Sequence, residues 1–227
     1  MKKEHNFFID PKTKAKLSLR VDRDKKGEIF SGALYNKANE YPIIRGIPRF
    51  VDNSLYAADN KTSTKEMQTA ASFGRKWREG RSRSIGTHLY DAGSLGEQLL
   101  ALLGCSTKAQ LNRLFSQAKN TLNAGCGVAW SEYLFNNNPQ TQRHCVDISL
   151  SVETAYKNTL GFENVSVAQA SVFELPYPDN FFDIIYSIGV IHHTPDPRKA
   201  FFSLLKKLAP GGLIGIYIYN HCCPIIT

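Results

Sequence analysis

The residues of this chain best suited to chemistry lie between positions 120 and 195. Thr121-Leu-Asn-Ala-Gly-Cys-Gly-Val-Ala-Trp130 runs from an apolar stretch directly into a Gly-x-Gly turn, Gly125 and Gly127. Glycines there let a ligand approach the main chain. In an α/β sheet such a turn sits at the carboxyl end of the first strand, beside the switch point where ligands bind. A tight structural turn would ask for the same residues, so the motif alone decides nothing. About 20 residues further on, Arg143-His-Cys-Val-Asp-Ile-Ser149 closes a second apolar run with Asp147, at the distance where a carboxylate accepts hydrogen bonds from both ribose hydroxyls of a nucleoside. That spacing favours a nucleoside site over a plain turn. His192 and His193 follow the fourth apolar run, and an imidazole titrating near neutrality suits a general base. His193 is the stronger candidate of the two; a loop-bracing hydrogen bond is its structural alternative. Cys126, between the glycines, reads as a small apolar packing residue.

The elements that must position these groups follow from the period of the apolar residues. Five strand candidates, Thr121–Cys126, His144–Ile148, Val165–Ala170, Phe182–Ser187 and Leu213–Tyr219, alternate with helical or loop stretches, which predicts a parallel sheet covered on both faces. Ahead of them, LGEQLLALLG and KAQLNRLFSQAKN predict helices, the second with Leu111, Leu114 and Phe115 on one stripe. Before the last strand, Asp196 suits an N-cap and Pro197 the first helical position. Ala200, Phe201, Leu204, Leu205 and Leu208 trace a buried face, and Pro210, Gly211 and Gly212 end the helix.

Composition bounds what the chain can be. Its 227 residues, 42% hydrophobic and 21% charged, suit one sizeable core plus a small appendage. No apolar run approaches the roughly 18 residues that span a bilayer. The start turns polar after Phe7 and Phe8, unlike a secretory signal, so a cytoplasmic location and no membrane partner are expected. Five cysteines, Cys105, Cys126, Cys145, Cys222 and Cys223, form no C-x-x-C pair, which predicts neither a disulfide framework nor a metal site. The positive charge is confined to residues 1–90, with 19 Lys and Arg against 10 Asp and Glu. It includes the cluster Arg75, Lys76, Arg78, Arg81 and Arg83. With Trp77 as its single interleaved aromatic, that cluster reads as a solvated basic face rather than a nucleic-acid groove.

Three regions are expected: a β-rich module over 1–51, a linker and lid-like segment over 52–92, and an α/β domain over 93–227. In the first, short β-like runs (Leu17–Val21, Glu28–Leu34, Ile43–Ile44) end in YPIIRGIPRFV. This pattern resembles the small zinc-ribbon-like module that accompanies some methyltransferases. That module's metal-bearing versions carry cysteine pairs near the first turn and in the middle hairpin; here Asp10 and Thr13 stand near the first turn and no cysteine precedes Cys105, so metal binding is not carried over. In the lid-like segment, Phe73 and Trp77 share one helix face, with core packing the ordinary explanation.

The succession N-A-G-C-G, V-D-I-S, A-S-V-F-E-L-P-Y, F-D-I-I-Y-S-I-G-V-I-H-H and L-A-P-G-G, over about residues 70–220, resembles the ordered motifs of class I S-adenosylmethionine-dependent methyltransferases. The likeness is to the branch acting on small molecules such as quinone precursors. It implies an α/β, Rossmann-like three-layer sandwich with a mostly parallel sheet, and S-adenosylmethionine as cofactor. Asn123, Gly125 and Gly127 would serve the methionine part, Asp147 and Ile148 the ribose, Ser171 and Val172 the adenine, and Ile188 and Gly189 the sulfonium end. His193 would be the base, and the partner a small-molecule methyl acceptor. Asn123 and Ser171 stand where the family usually has an acid and an Asp. Exchanging a charge-assisted bond for a neutral one weakens binding by about 1 kcal/mol each. A nicotinamide-dependent oxidoreductase is disfavoured, because Trp130 replaces the third glycine of its fingerprint. A non-catalytic binding module and an RNA-modifying methyltransferase remain the alternatives. By the family's pattern two further strands would follow, so the domain is expected to be C-terminally truncated, with self-association through the exposed last strand.

Overall fold

The computed structural model describes residues 1–2, 7–25, 27–55, 95–135 and 139–218. The basic cluster, Phe73 and Trp77, most of the lid-like segment and the chain beyond 218 fall outside them. Four antiparallel strands, β1 (Ser18–Lys25), β2 (Glu28–Tyr35), β3 (Glu40–Ile44) and β4 (Ile47–Pro48), form an N-terminal sheet in sequential order. Two helices follow, α1 (Leu95–Leu102) and α2 (Lys108–Ser116). A capping box opens α2: the Thr107 side chain accepts from the Gln110 amide while the Gln110 side chain accepts from the Thr107 amide.

The second sheet contains β5 (Asn120–Ala124), β6 (Gln142–Asp147), β7 (Val165–Gln169), β8 (Phe182–Ile188) and β9 (Leu208–Tyr217), all parallel, in the order β7-β6-β5-β8-β9. Chain order runs outward from β5 through β6 to β7, then crosses to β8 and β9 on the other side. The reversal makes a switch point between β5 and β8. Every residue of β7 is buried, as befits a strand covered on both faces. This is the expected Rossmann-like α/β architecture. On one face, Cys145, Val165 and Val167 pack with Val152 and Ala155 of α3 (Val152–Thr159), while Ile184 and Tyr186 pack with Leu99, Leu111 and Phe115 of α1 and α2. On the other face, Leu122, Ala124, Val146 and Ile185 meet Ala200 and Leu204 of α4 (Pro197–Leu205).

The same cluster takes in Phe8, Ile29, Leu34 and Phe50 of the N-terminal region, so the two sheets share a core. Each fully buried Leu or Phe contributes about 1.5–3 kcal/mol. Phe7 inserts beside His144, Tyr177 and Phe181, with ring centroids 4.4, 6.0 and 6.3 Å away. Tyr156 of α3 donates to Glu28 of β2 at 2.7 Å.

Two expectations need correction. Pro210–Gly212 do not stand clear as the stop after a helix. The helix ends at Leu205, and β9 begins at Leu208 opposite Phe182, re-entering register at Leu213 opposite Ile184. Two residues of β8 thus face five of β9, and the Pro-Gly-Gly turn is absorbed as an irregularity inside the strand. Leu205 is 39% exposed rather than part of the buried face, because the helix turns only Ala200 and Leu204 fully inward. Beyond the glycine turn the chain forms a 3-10 segment, Trp130–Leu134. Among the described residues no helix is long and apolar enough to cross a membrane.

Candidate functional site

Adjacent parallel strands end at one edge of the sheet, and that edge gathers the predicted residues: Gly125 and Gly127 after β5, Asp147 and Ile148 at the end of β6, Ser171 and Val172 after β7, Ile188, Gly189 and His193 at and beyond the end of β8. Gly125 and Gly127 both take positive φ, 78° and 55°. At Gly125 a second constraint applies: a Cβ would lie 2.3 Å from a methyl carbon of Val190, so the missing side chain is filled from the β8 loop. Gly125 is thus required by packing as well as by backbone conformation. Ala129, fully buried, holds φ 58°, a left-handed conformation that costs a non-glycine residue roughly 1–2 kcal/mol. Such strain beside a ligand turn is typical of functional loops.

Asp147 lies across this turn. Its Oδ2 accepts from the Gly127 amide at 2.9 Å and its Oδ1 from the Ser149 amide at 2.8 Å. An ionised carboxylate offers about four acceptor positions, so the two amides fix its plane and leave one direction on each oxygen for a diol. The residues therefore fit a ribose: a rigid carboxylate beside a backbone that a ligand can approach.

Asn123 turns the other way. It is 7% exposed, and its Nδ2 donates to Ser131 Oγ at 2.9 Å and Glu132 Oε1 at 3.3 Å. Only Oδ1 remains to accept a bond from a ligand's ammonium group. Behind it lies a buried polar network that sequence reading missed. Tyr186 donates to Glu132 Oε1 at 2.6 Å, Arg143 sits 3.3 Å from Glu132 Oε2, and the Arg143 Nη1 also donates to the Glu132 carbonyl at 2.8 Å. Burial pushes the Tyr186 phenol well above its ordinary pKa, reinforced by the Glu132 charge. The sequence signal for this network was an arginine in β6 and a tyrosine in β8, with the acid in the short 3-10 segment between β5 and β6.

Ser171 accepts from the Phe173 amide at 3.2 Å, forming the turn after β7, while Val172 is 8% exposed and packs in the core. Ile188 packs toward α1 and α2, and the Gly189 amide donates to Tyr217 at 2.9 Å. His193 lies in the 3-10 segment Ile191–His193, its ring 3.9 Å from that of His192. Cys126 is buried, and burial raises its thiol pKa, consistent with packing rather than nucleophilic chemistry. Among the described residues no three His, Cys, Asp or Glu side chains form a group that could hold a metal ion.

With this geometry in view, similarity to known proteins adds the chemistry. Residues 122–216 match the family described as the methyltransferase domain. A protein of Oryza sativa subsp. japonica named "Probable tocopherol O-methyltransferase, chloroplastic" is 28% identical over 148 residues, covering 63% of this chain and 39% of the relative. A phosphoethanolamine N-methyltransferase of Triticum aestivum is 32% identical over 103 residues, covering 44% of this chain and 20% of the relative. The chain thus spans well under half the length of the curated relatives it matches. Among solved structures, a SAM-dependent methyltransferase from Aquifex aeolicus aligns with a TM-score of 0.43 at 21% identity, covering 55% of this chain and 71% of that one.

Proposed function

We propose that this chain binds S-adenosylmethionine at the carboxyl edge of its parallel sheet and transfers the methyl group to an oxygen, nitrogen or carbon of a small-molecule acceptor. The observation that carries the reading is the Asp147 carboxylate, fixed across the glycine turn by the Gly127 and Ser149 amides. The match of residues 122–216 to methyltransferase domains supports the reaction class, and relatives named for tocopherol and phosphoethanolamine support a small acceptor. Acceptors of the quinone-precursor type are the finer expectation.

When bound, S-adenosylmethionine supplies an already activated methyl group, so the protein's task is placement. Asp147 and Ile148 orient the ribose, the side-chain-free main chain at Gly125 and Gly127 gives the methionine portion room to approach, and the Asn123 Oδ1 accepts from its ammonium. Ser171 and Val172 border the adenine, with Ile188 and Gly189 at the sulfonium end. His193 takes the acceptor's proton where the acceptor is not already deprotonated. Cytoplasmic placement and independence from metal and nucleic acid belong to the same proposal.

Titration calorimetry with S-adenosylhomocysteine tests it: the parent binds, and Asp147→Ala binds at least tenfold more weakly. Equal affinity in both removes the ribose assignment. A second reading, a binding module without turnover, is favoured by the neutral Asn123 and its inward-turned amide. Cofactor binding without methyl transfer to any of a panel of phenolic, amine and sterol acceptors would select it.

A further inference from the structure

Arg49 belongs to the N-terminal region yet is 1% exposed, and its guanidinium reaches into the parallel sheet. One nitrogen, Nη1, donates to Gln169 Oε1 at 2.8 Å, at the last residue of β7. The other, Nη2, donates to Glu153 Oε1, in the first turn of α3. Gln169 passes the contact on: its Nε2 donates to the carbonyl of Ile148 at 2.8 Å. Main-chain contacts run alongside, with Arg49 bridged in parallel to Gln169 and the Phe50 amide donating to the Gln169 carbonyl at 2.7 Å. The segment between these holds, 148–151, begins directly after Asp147. Inside it the Ser149 and Ser151 hydroxyls bond at 2.8 Å, and the Ser151 amide donates to Ser149 Oγ at 3.2 Å.

We propose that Arg49 is a positioning residue of the cofactor crevice, through which the N-terminal sheet holds the backbone at Asp147 and Ile148 in its ligand-ready form. This rests on the cofactor reading above and gives the N-terminal sheet a part in it. A planar fork of donors meets the amide oxygen of Gln169 and the carboxylate of Glu153 at once; an ammonium, a single point charge on a flexible stem, does not reproduce both directions. With its Oε1 engaged, the Gln169 amide has a fixed orientation, and its nitrogen is aimed at the Ile148 carbonyl. The loop carrying Asp147 is therefore tied at both ends to one buried side chain about a hundred residues upstream.

The test compares variants of the full chain by melting temperature and by S-adenosylhomocysteine affinity. Tyr156→Phe is the control: it removes a contact between α3 and Glu28 of the same N-terminal sheet, with no route to Ile148. It lowers the melting temperature and leaves affinity within twofold. Gln169→Met and Arg49→Lys each weaken binding tenfold or more. Affinity within twofold of the parent in both Gln169→Met and Arg49→Lys, whatever their melting temperatures, overturns the proposal and leaves Arg49 a packing residue. If the parent binds no S-adenosylhomocysteine, the cofactor reading fails on its own account. Hydrogen exchange of the Ile148 to Ser151 amides then tests the hold directly: at least tenfold faster in Gln169→Met than in Tyr156→Phe supports it, and equal rates overturn it.

Discussion

Asp10 in the N-terminal region and Glu132 beneath the parallel sheet are both buried carboxylates, 0% and 1% exposed, yet they are satisfied in opposite ways. Asp10 accepts from the amides of Lys12 and Thr13, from Asn36 and Asn39, and from the Tyr41 hydroxyl, at 2.7 to 3.2 Å. All five donors are neutral. They come from the first turn, from the hairpin that joins β2 to β3, and from β3 itself. Glu132 instead depends on one cation, Arg143, one phenol, Tyr186, and one amide, Asn123. The Asp10 arrangement is redundant, whereas that at Glu132 is not, and its cation is itself buried. A carboxylate held by many dipoles tolerates the loss of one; a carboxylate in a buried ion pair shares the cost of every loss with its partner.

The largest effect is expected at Glu132→Gln. Arg143 is 2% exposed and would keep its charge with no carboxylate beside it, a situation that costs about 3–5 kcal/mol. Denaturant unfolding of the parent and variant measures it, and adding Arg143→Met recovers a substantial part by removing the stranded charge. A loss under about 1 kcal/mol, or no recovery in the double variant, would erase the contrast between the two carboxylates.

Asp10→Asn comes next, at about 2–3 kcal/mol, since an amide presents a donor where the site offers donors. The Asp10 carboxylate also carries a pH signature. Burial pushes the Asp10 carboxyl up, but the bonds from Asn39, Asn36, the Lys12 amide and Tyr41 together outweigh it and hold its pKa below the usual carboxylate range. A depressed folded-state pKa contributes stability that is fully present above the unfolded value of about 4 and is lost as pH falls through the folded value. The parent should therefore lose stability below about pH 4 more steeply than Asp10→Asn does. Parallel curves for the two proteins would show that the five donors do not favour the ionised form.

What could be read in the sequence follows the range of the interaction. The strands of the parallel sheet announced themselves as apolar runs, and Asp196 caps α4 by accepting from the Lys199 amide at 2.9 Å, a bond that closes within one helical turn. The glycine turn and Asp147, 20 residues apart, meet through a βαβ-type spacing that constrains where the second strand must end. Beyond that range, pattern fails. Arg49 and Gln169 are 120 positions apart, and nothing local to an arginine beside a two-residue strand distinguishes a buried donor from a solvated charge. Glu132 lies in a 3-10 segment too short to show a periodic face, so its burial could not be inferred. The Pro-Gly-Gly of β9 reads as a break because turn chemistry is local, while the pairing with β8 that absorbs it is not.

The smallest and cleanest comparison applies one chemical deletion at both places, the removal of a phenolic hydroxyl. Tyr186→Phe takes from Glu132 Oε1 its 2.6 Å donor and leaves the Asn123 amide at 3.3 Å, in a site where water cannot substitute. A hydrogen bond to a charged group is worth about 1.5–3 kcal/mol, so a loss near 2 is expected. Tyr41→Phe takes from Asp10 Oδ1 a 2.8 Å donor, but that oxygen keeps the Lys12 and Thr13 amides, and the expected loss is under about 1 kcal/mol. Ring burial, volume and backbone are unchanged in both, so the difference between the two losses reports the redundancy at Asp10 together with the second bond that the Tyr186 hydroxyl makes to Ser131 Oγ at 3.1 Å. Equal losses would mean that the amides of the first turn do not share the Asp10 charge, and that the N-terminal sheet depends on its phenol as fully as the parallel sheet does.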